Sequence, residues 1–264
     1  MRVNLASVRS NLESALAGRG VSTPFTYRDR RLTEAVSTGI EQIDSLAGGL
    51  PRGSLTEICG PPCSGRTSLL FAALASRTSQ AEVCALVDGR DCFDPYSAEA
   101  AGVELDQLLW VRCQNINQAL RATDLLLQSG GFGLIAVDLS DIPAETVRYV
   151  PLNAWFRFRR AVEDTRTILV LLEQEANAKT CASLVLQLGA EPARWATTAA
   201  LQNGAAPVCA SPCARLLDGF DIHAEVLRSR MAPCASANDK APGSETFATK
   251  AMVSYLDGVP AEPK

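Results

Sequence analysis

The stretch Gly60-Pro61-Pro62-Cys63-Ser64-Gly65-Arg66-Thr67-Ser68 constrains this 264-residue sequence more than any other. It lies between a short apolar run, Leu55 to Cys59, and a helical pattern carrying Leu69, Leu70, Ala73 and Leu74. Apart from arginine in place of lysine, it follows the phosphate-binding pattern G-x-x-x-x-G-K-[ST]. Its glycines let backbone N–H groups converge on phosphate oxygens. A helix beginning near Gly65 adds its positive dipole end, and the Thr67 hydroxyl can hold Mg²⁺. All nine residues are therefore candidate cofactor-binding residues. The plainer alternative is a glycine turn at a strand–helix junction that takes no ligand. Arg66 bears on that choice. Guanidinium is wider than ammonium, planar and permanently charged. It attracts phosphate but shifts the outer phosphoryl group from in-line geometry, so weakened binding and poor turnover are expected.

Three further apolar runs share the same organisation. Val83 to Val87 ends at Asp88, Gly133 to Val137 ends at Asp138, and Thr167 to Leu172 ends near Gln174. Continuous apolar strands, each followed by a helical stretch, imply an α/β fold: a mostly parallel, twisted sheet with helices on both faces. Ligands bind beyond the carboxyl ends of such strands, and Asp88, Asp138, Gln174 and the glycine loop all fall there. The length suits one such domain with extensions. Residues 4–18 form an amphipathic pattern with Leu5, Val8, Leu12 and Leu16 on one stripe. A connector with Pro24, Arg28, Arg30 and Arg31 follows. The expected division is a helix and basic connector over 1–36, a core over 37–230 and a disordered tail over 231–264.

Charge and cysteine usage narrow the class. A formal net charge of −4 argues against a protein whose main task is coating nucleic acid, so any DNA contact must be local or assisted. Nine cysteines lie mostly in apolar runs, with no export signal and no stretch of ~20 apolar residues to span a membrane. Reduced cysteines in a cytoplasmic protein are the expectation. Zinc is not expected, since Cys209 and Cys213 are loosely spaced and His223 is the sole histidine. Trp155, Phe156, Arg157, Phe158, Arg159 and Arg160 form a segment where aromatic and arginine side chains interleave. They read either as a strip that stacks bases and pairs with phosphates, or as an amphipathic helix with its rings in the core.

Four segments in order carry a resemblance to the bacterial RecA core. STGIEQIDSLAGGLPRGSLTEICGPPCSGRTSLLF (37–71) resembles its opening, and VCALVDGRDCFDPYSAEAAGVELD (83–106) the segment after the second strand. LIAVDLS (134–140) is similar to the Walker B strand, and LVLLEQ (169–174) to the strand ending in the phosphate-sensing glutamine. The resemblance covers roughly 37–190 and implies ATP and Mg²⁺ as ligands. By it Gly60, Gly65, Arg66, Thr67 and Ser68 face phosphate, while Thr67 and Asp138 serve Mg²⁺. Gln174 would sense the γ-phosphate, Asp94 would sit near adenine, and Tyr96 would be a stacking neighbour. Where the family carries its water-activating glutamate this sequence has Arg90, with Asp91 adjacent but displaced by one residue. The DNA-binding loops are reduced to SDIPAETVRYVPLNAW and about EANAKT, so strand exchange is not expected.

Among RecA relatives the chain resembles the ImuA group of accessory proteins in damage-induced mutagenesis, which keep the core and lose catalytic residues. That resemblance implies RecA and translesion DNA polymerase subunits as partners. Single-stranded DNA would be reached directly or through RecA, with self-association open. Two other readings stand beside it: a DNA-dependent ATPase or recombinase with unusual catalytic residues, and a RecA-fold regulator such as a division inhibitor or signalling ATPase.

Overall fold

The computed structural model describes residues 34–195, 217–230 and 244–250. The 4–18 pattern, the arginines at 28, 30 and 31, and Cys209 and Cys213 lie outside them. A two-stranded ribbon opens the described chain: β1 (Ala35–Val36) runs antiparallel to β2 (Leu50–Pro51), with α1 (Glu41–Ala47) between them. The main sheet then begins with β3 (Ser54–Cys59), which is buried along its whole length as its apolar run predicts. α2 (Arg66–Thr78), β4 (Cys84–Asp88), α3 (Pro95–Ala100), β5 (Leu108–Arg112) and α4 (Ile116–Ser129) follow. Next come β6 (Leu134–Asp138), α5 (Ala144–Arg148), α6 (Leu152–Val162), β7 (Ile168–Glu173) and β8 (Leu184–Trp195). β9 (Leu217–Ser229) and β10 (Ser244–Lys250) complete the set.

Among the described residues the main sheet has eight strands, in the order β10-β9-β8-β3-β7-β6-β4-β5. The six from β8 to β5 run parallel to their neighbours, whereas β9 and β10 are antiparallel additions at one edge. This is the expected α/β architecture with helices on both faces. On one face Leu69, Leu70 and Leu74 of α2 pack with Ile43 of α1 over Ile58, Leu86, Ala136 and Val170. On the other, Trp155, Phe158 and Val162 of α6 pack with Ala119 and Leu127 of α4 over Leu55, Val87, Ile135 and Leu169. Strand alternation supplies both faces at once, which is why these runs show no polar period.

Two elements depart from the sequence reading. β5 is an edge strand whose residues are only half-buried or exposed, so its five residues lack a continuous buried run. β10 corrects the expectation that everything after Met231 lacks structure: Ser244–Lys250 pairs antiparallel with β9 across Gly219–Glu225. One residue anchors it, since Phe247 is buried in the cluster that contains Ile43 of α1. A single apolar side chain in a polar stretch is too little for composition to register.

Candidate functional site

In-register pairing lines up the strand ends that carry the chemistry. Cys59 is opposite Glu173, Asp138 opposite both Leu172 and Asp88, and Asp88 opposite Arg112. The glycine loop leaves this row from β3. A Cβ on Gly60 would stand 2.4 Å from the Leu188 carbonyl oxygen, so β8 backs the start of the loop closely. The Ser64 N–H donates to the Pro61 carbonyl at 3.3 Å, and Cys63 takes a left-handed φ of 61°. Gly65 is the N-cap of α2 at φ 83°, and the Ile222 side chain from β9 lies directly over it. Pro61, Pro62, Cys63, Thr67 and Ser68 are exposed. The buried Ser64 Oγ has no hydrogen-bond partner. The N–H groups of Arg66, Thr67 and Ser68 open α2 and so lack intrahelical acceptors. This is a donor-lined cradle at a helix N-terminus, and it fits a phosphate.

Arg66 does not project from that cradle. It is only 7% exposed, and its Nη1 donates to the Glu173 backbone carbonyl at 2.8 Å. Burial pulls its pKa down, and the charges of Asp138 and Asp141 work against that. The side chain thus ties the start of α2 to the end of β7, the strand that leads into Gln174. Gln174 in turn donates from Nε2 to the Ser140 carbonyl at 2.9 Å.

The aspartates divide by role. Asp138 accepts from the Ser140 N–H at 2.9 Å, and burial raises its pKa, a cost that a bound divalent cation would relieve. Its carboxylate and the exposed Thr67 hydroxyl are oxygen donors suited to Mg²⁺, which prefers such ligands and keeps several waters. Asp88, which sequence reading left without a task, accepts from the Arg90 and Phe93 N–H groups and from Trp110 Nε1, and so shapes the loop after β4. Arg90 is exposed. Asp91 is held by Arg112 through two bonds of 2.6 Å, and this pairing pulls its pKa down. A carboxylate so engaged is a poor proton acceptor. Asp94 caps α3, accepting from the Tyr96 and Ser97 N–H groups and from Ser97 Oγ. Tyr96 is 82% exposed. Asp94→Asn keeps a capping acceptor and should leave thermal stability unchanged, whereas Asp94→Ala should lower the melting temperature by about 2–4 °C. Differential scanning calorimetry would read both.

On α6 the aromatic and arginine side chains separate. Trp155 and Phe158 are in the core, while Phe156, Arg157 and Arg160 face solvent. Arg157 pairs with Asp124 at 2.9 Å, and Arg159 reaches the Thr180 carbonyl. Two buried acids, Glu57 on β3 and Glu173 on β7, escaped sequence reading. Their signal was a glutamate inside each of two apolar runs, LTEIC and LVLLEQ. Among the described residues, no group of three or more His, Cys, Asp or Glu is placed to hold a metal. Cys59, Cys63, Cys84, Cys92, Cys113 and Cys181 are free thiols, with burial pushing Cys59 and Cys84 up to about 12. No helix among the described residues is long and apolar enough to cross a membrane.

With that geometry in place, residues 7–146, more than half of the chain, match the model of the RecA N-terminal domain family. The chain belongs to this family. RecA of Deinococcus radiodurans is 35% identical over 136 residues, 51% of this chain and 37% of the relative. RecA of Psychrobacter cryohalolentis is 40% identical over 107 residues, 40% of this chain and 30% of the relative. RecA of Acinetobacter baumannii is 41% identical over 107 residues, 40% of this chain and 31% of the relative. The chain therefore spans about a third of the length of the curated RecA proteins it matches.

Proposed function

We propose that this RecA-family chain is a catalytically degenerate accessory factor of the DNA-damage (SOS) response, of the ImuA type. It would link RecA on single-stranded DNA to translesion polymerase subunits, in the cytoplasm. The observation that carries this reading is Arg66, whose guanidinium is buried and bonded to the Glu173 carbonyl instead of being presented to a ligand. Two neighbours support it. Arg90 has no basic lone pair to activate water, and Asp91, the nearest carboxylate in sequence, is engaged by Arg112. ATP, if taken, rests on the loop as a structural ligand, with Thr67 and Asp138 toward Mg²⁺. In that seat Gly60 and Gly65 admit close approach of the backbone, and the N–H groups of Arg66 to Ser68 face the phosphates.

The test is ATP turnover by the purified chain with Mg²⁺, with and without single-stranded DNA. The expected rate does not exceed that of a Thr67→Ala, Asp138→Ala control. Arg66→Lys alone should restore none, because Arg90 still occupies the place of the base. Vigorous hydrolysis by that variant would refute this account of the site. Turnover stimulated by DNA would instead assign a DNA-dependent ATPase or recombinase. The intact cradle of Gly60, Ser64, Gly65 and Thr67 favours that second reading. Co-purification with a translesion polymerase subunit would support the linking role.

A further inference from the structure

The loop that follows β7 is fastened from beneath by two acids that phosphate chemistry does not use. β3 and β7 are parallel with Glu57 opposite Leu171 and Cys59 opposite Glu173. Glu57 and Glu173 therefore lie on one face, one residue pair apart, with Leu55, Cys59, Leu169 and Leu171 of the cluster beneath α4 and α6. Both are 0% exposed. Asn177 is wedged between them. Its N–H and that of Ala178 donate to Glu57 Oε1 at 2.8 and 2.6 Å, and its Nδ2 donates to Glu173 Oε2 at 2.7 Å. The other oxygen of each acid, Glu57 Oε2 and Glu173 Oε1, is buried with no partner. Two ionised carboxylates bridged by one asparagine in the core would repel each other, and each would carry an unsatisfied oxygen.

We infer that one of the two acids, Glu57 or Glu173, is protonated while the 174–178 loop is closed on the end of the sheet, and that its ionisation opens the loop. The surrounding charges say which acid carries the proton. Burial raises Glu57 as well, but two backbone N–H groups and the positive charge of Arg228 on β9 work against that, so it is the better carboxylate. Glu173 is the better acid. Burial pushes it up to about 8, the Glu57 charge adds to that, and Asn177 pulls the other way. Arg66, on the α2 side, spends its hydrogen bond on the Glu173 main chain. Cys59 on β3 is held neutral by burial. Burial likewise raises Cys181, on whose side Arg159 of α6 and Arg230 lie.

The sign follows from linkage. A carboxyl whose folded pKa lies above its unfolded value of 4.5 gives its full stabilisation below 4.5 and loses it as pH rises to about 8. Above that range Glu173 is ionised in the core beside Glu57, and opening the loop to water relieves that cost. The bonds from the Asn177 and Ala178 N–H groups to Glu57, from Gln174 to Ser140 and from Arg148 to Glu175 hold the loop against that opening. The device acts on the segment just after Gln174 and works whether or not the glycine loop holds nucleotide.

The experiment is amide hydrogen exchange over residues 174–181 of the full chain, comparing wild type with Glu173→Gln at each pH so that intrinsic exchange cancels. The glutamine is an uncharged isostere that cannot ionise. The wild-type to variant ratio should rise about tenfold between pH 7 and 9, the change produced by roughly one pH unit of a one-proton equilibrium. A ratio that stays flat overturns the inference. Should the variant not fold, the ¹³C resonance of the Glu173 carboxyl in the wild-type chain decides. A titration midpoint near 8, accompanied by faster exchange in the loop, sustains the inference. A midpoint in the ordinary carboxyl range, or one near 8 without faster exchange, overturns it.

Discussion

Replacing Trp155 by alanine is expected to destabilise the folded domain by about 3–5 kcal/mol, as core aromatic truncations do. The indole is 1% exposed and meets the Phe158 ring edge-on, with centroids 6.0 Å apart and an interplanar angle of 73°. It belongs to the cluster formed with Leu55 of β3 and Leu169 and Leu171 of β7, so the cavity left behind would open beneath the strands that carry the glycine loop and Gln174. Arg160→Ala on the solvent side of the same helix should change stability by no more than about 0.5 kcal/mol. Urea denaturation with linear extrapolation separates the two cases. A Trp155→Ala variant within about 1 kcal/mol of wild type would remove the indole from the core and return it to the surface as a stacking platform. If α6 touches nucleic acid at all, Phe156, Arg157 and Arg160 are the side chains to carry it, since they face solvent.

The interleaved segment shows where the sequence runs out. WFRFRR supports two geometries equally until the phase of the helix relative to the sheet is known, and that phase depends on α4 and β7 as much as on α6. The strands β3, β4, β6 and β7 were legible because burial on both faces leaves runs of apolar residues that few polar ones interrupt. The glycine loop and Asp138 were legible for a different reason: phosphate and cation chemistry demands particular residue types at short, fixed spacing. What could not be read is every feature made by residues distant in the chain. Asp91 looks like a displaced base until Arg112, on a strand that burial did not announce, is seen to hold it. Arg66 reads as a phosphate contact until β7 supplies the carbonyl that it bonds. Glu57 and Glu173 read as isolated charges in apolar runs until parallel register sets them on the same face. In each case the chemistry of the residue was plain, and its partner was fixed only by the strand order.

The glycine loop carries the strongest such long-range constraint, and it yields the second large expected effect: Gly65→Ala should cost about 3 kcal/mol in the complete absence of nucleotide. Two terms add. A φ of 83° is left-handed, which an alanine adopts only at a penalty of about 1–2 kcal/mol. The new methyl would also stand 1.9 Å from Ile222 Cδ1 and 2.9 Å from its Cγ1. Ile222 cannot simply swing aside, because it is 1% exposed and packed in the same cluster as Ile43 and Phe247. Urea denaturation of the nucleotide-free protein measures the total, and a double-mutant cycle with Ile222→Ala isolates the steric part. Relief of about half the loss in the Ile222→Ala background is expected, leaving the backbone term behind. A ligand-only role for Gly65 predicts something different, namely unchanged stability with impaired nucleotide binding. Stability within about 1 kcal/mol of wild type would therefore show that β9 does not press on the loop as the geometry requires. A loss of the expected size would mean that the antiparallel edge formed by β9 and β10 braces the phosphate cradle, so that a partner docking on that edge could act on the loop without any nucleotide changing hands.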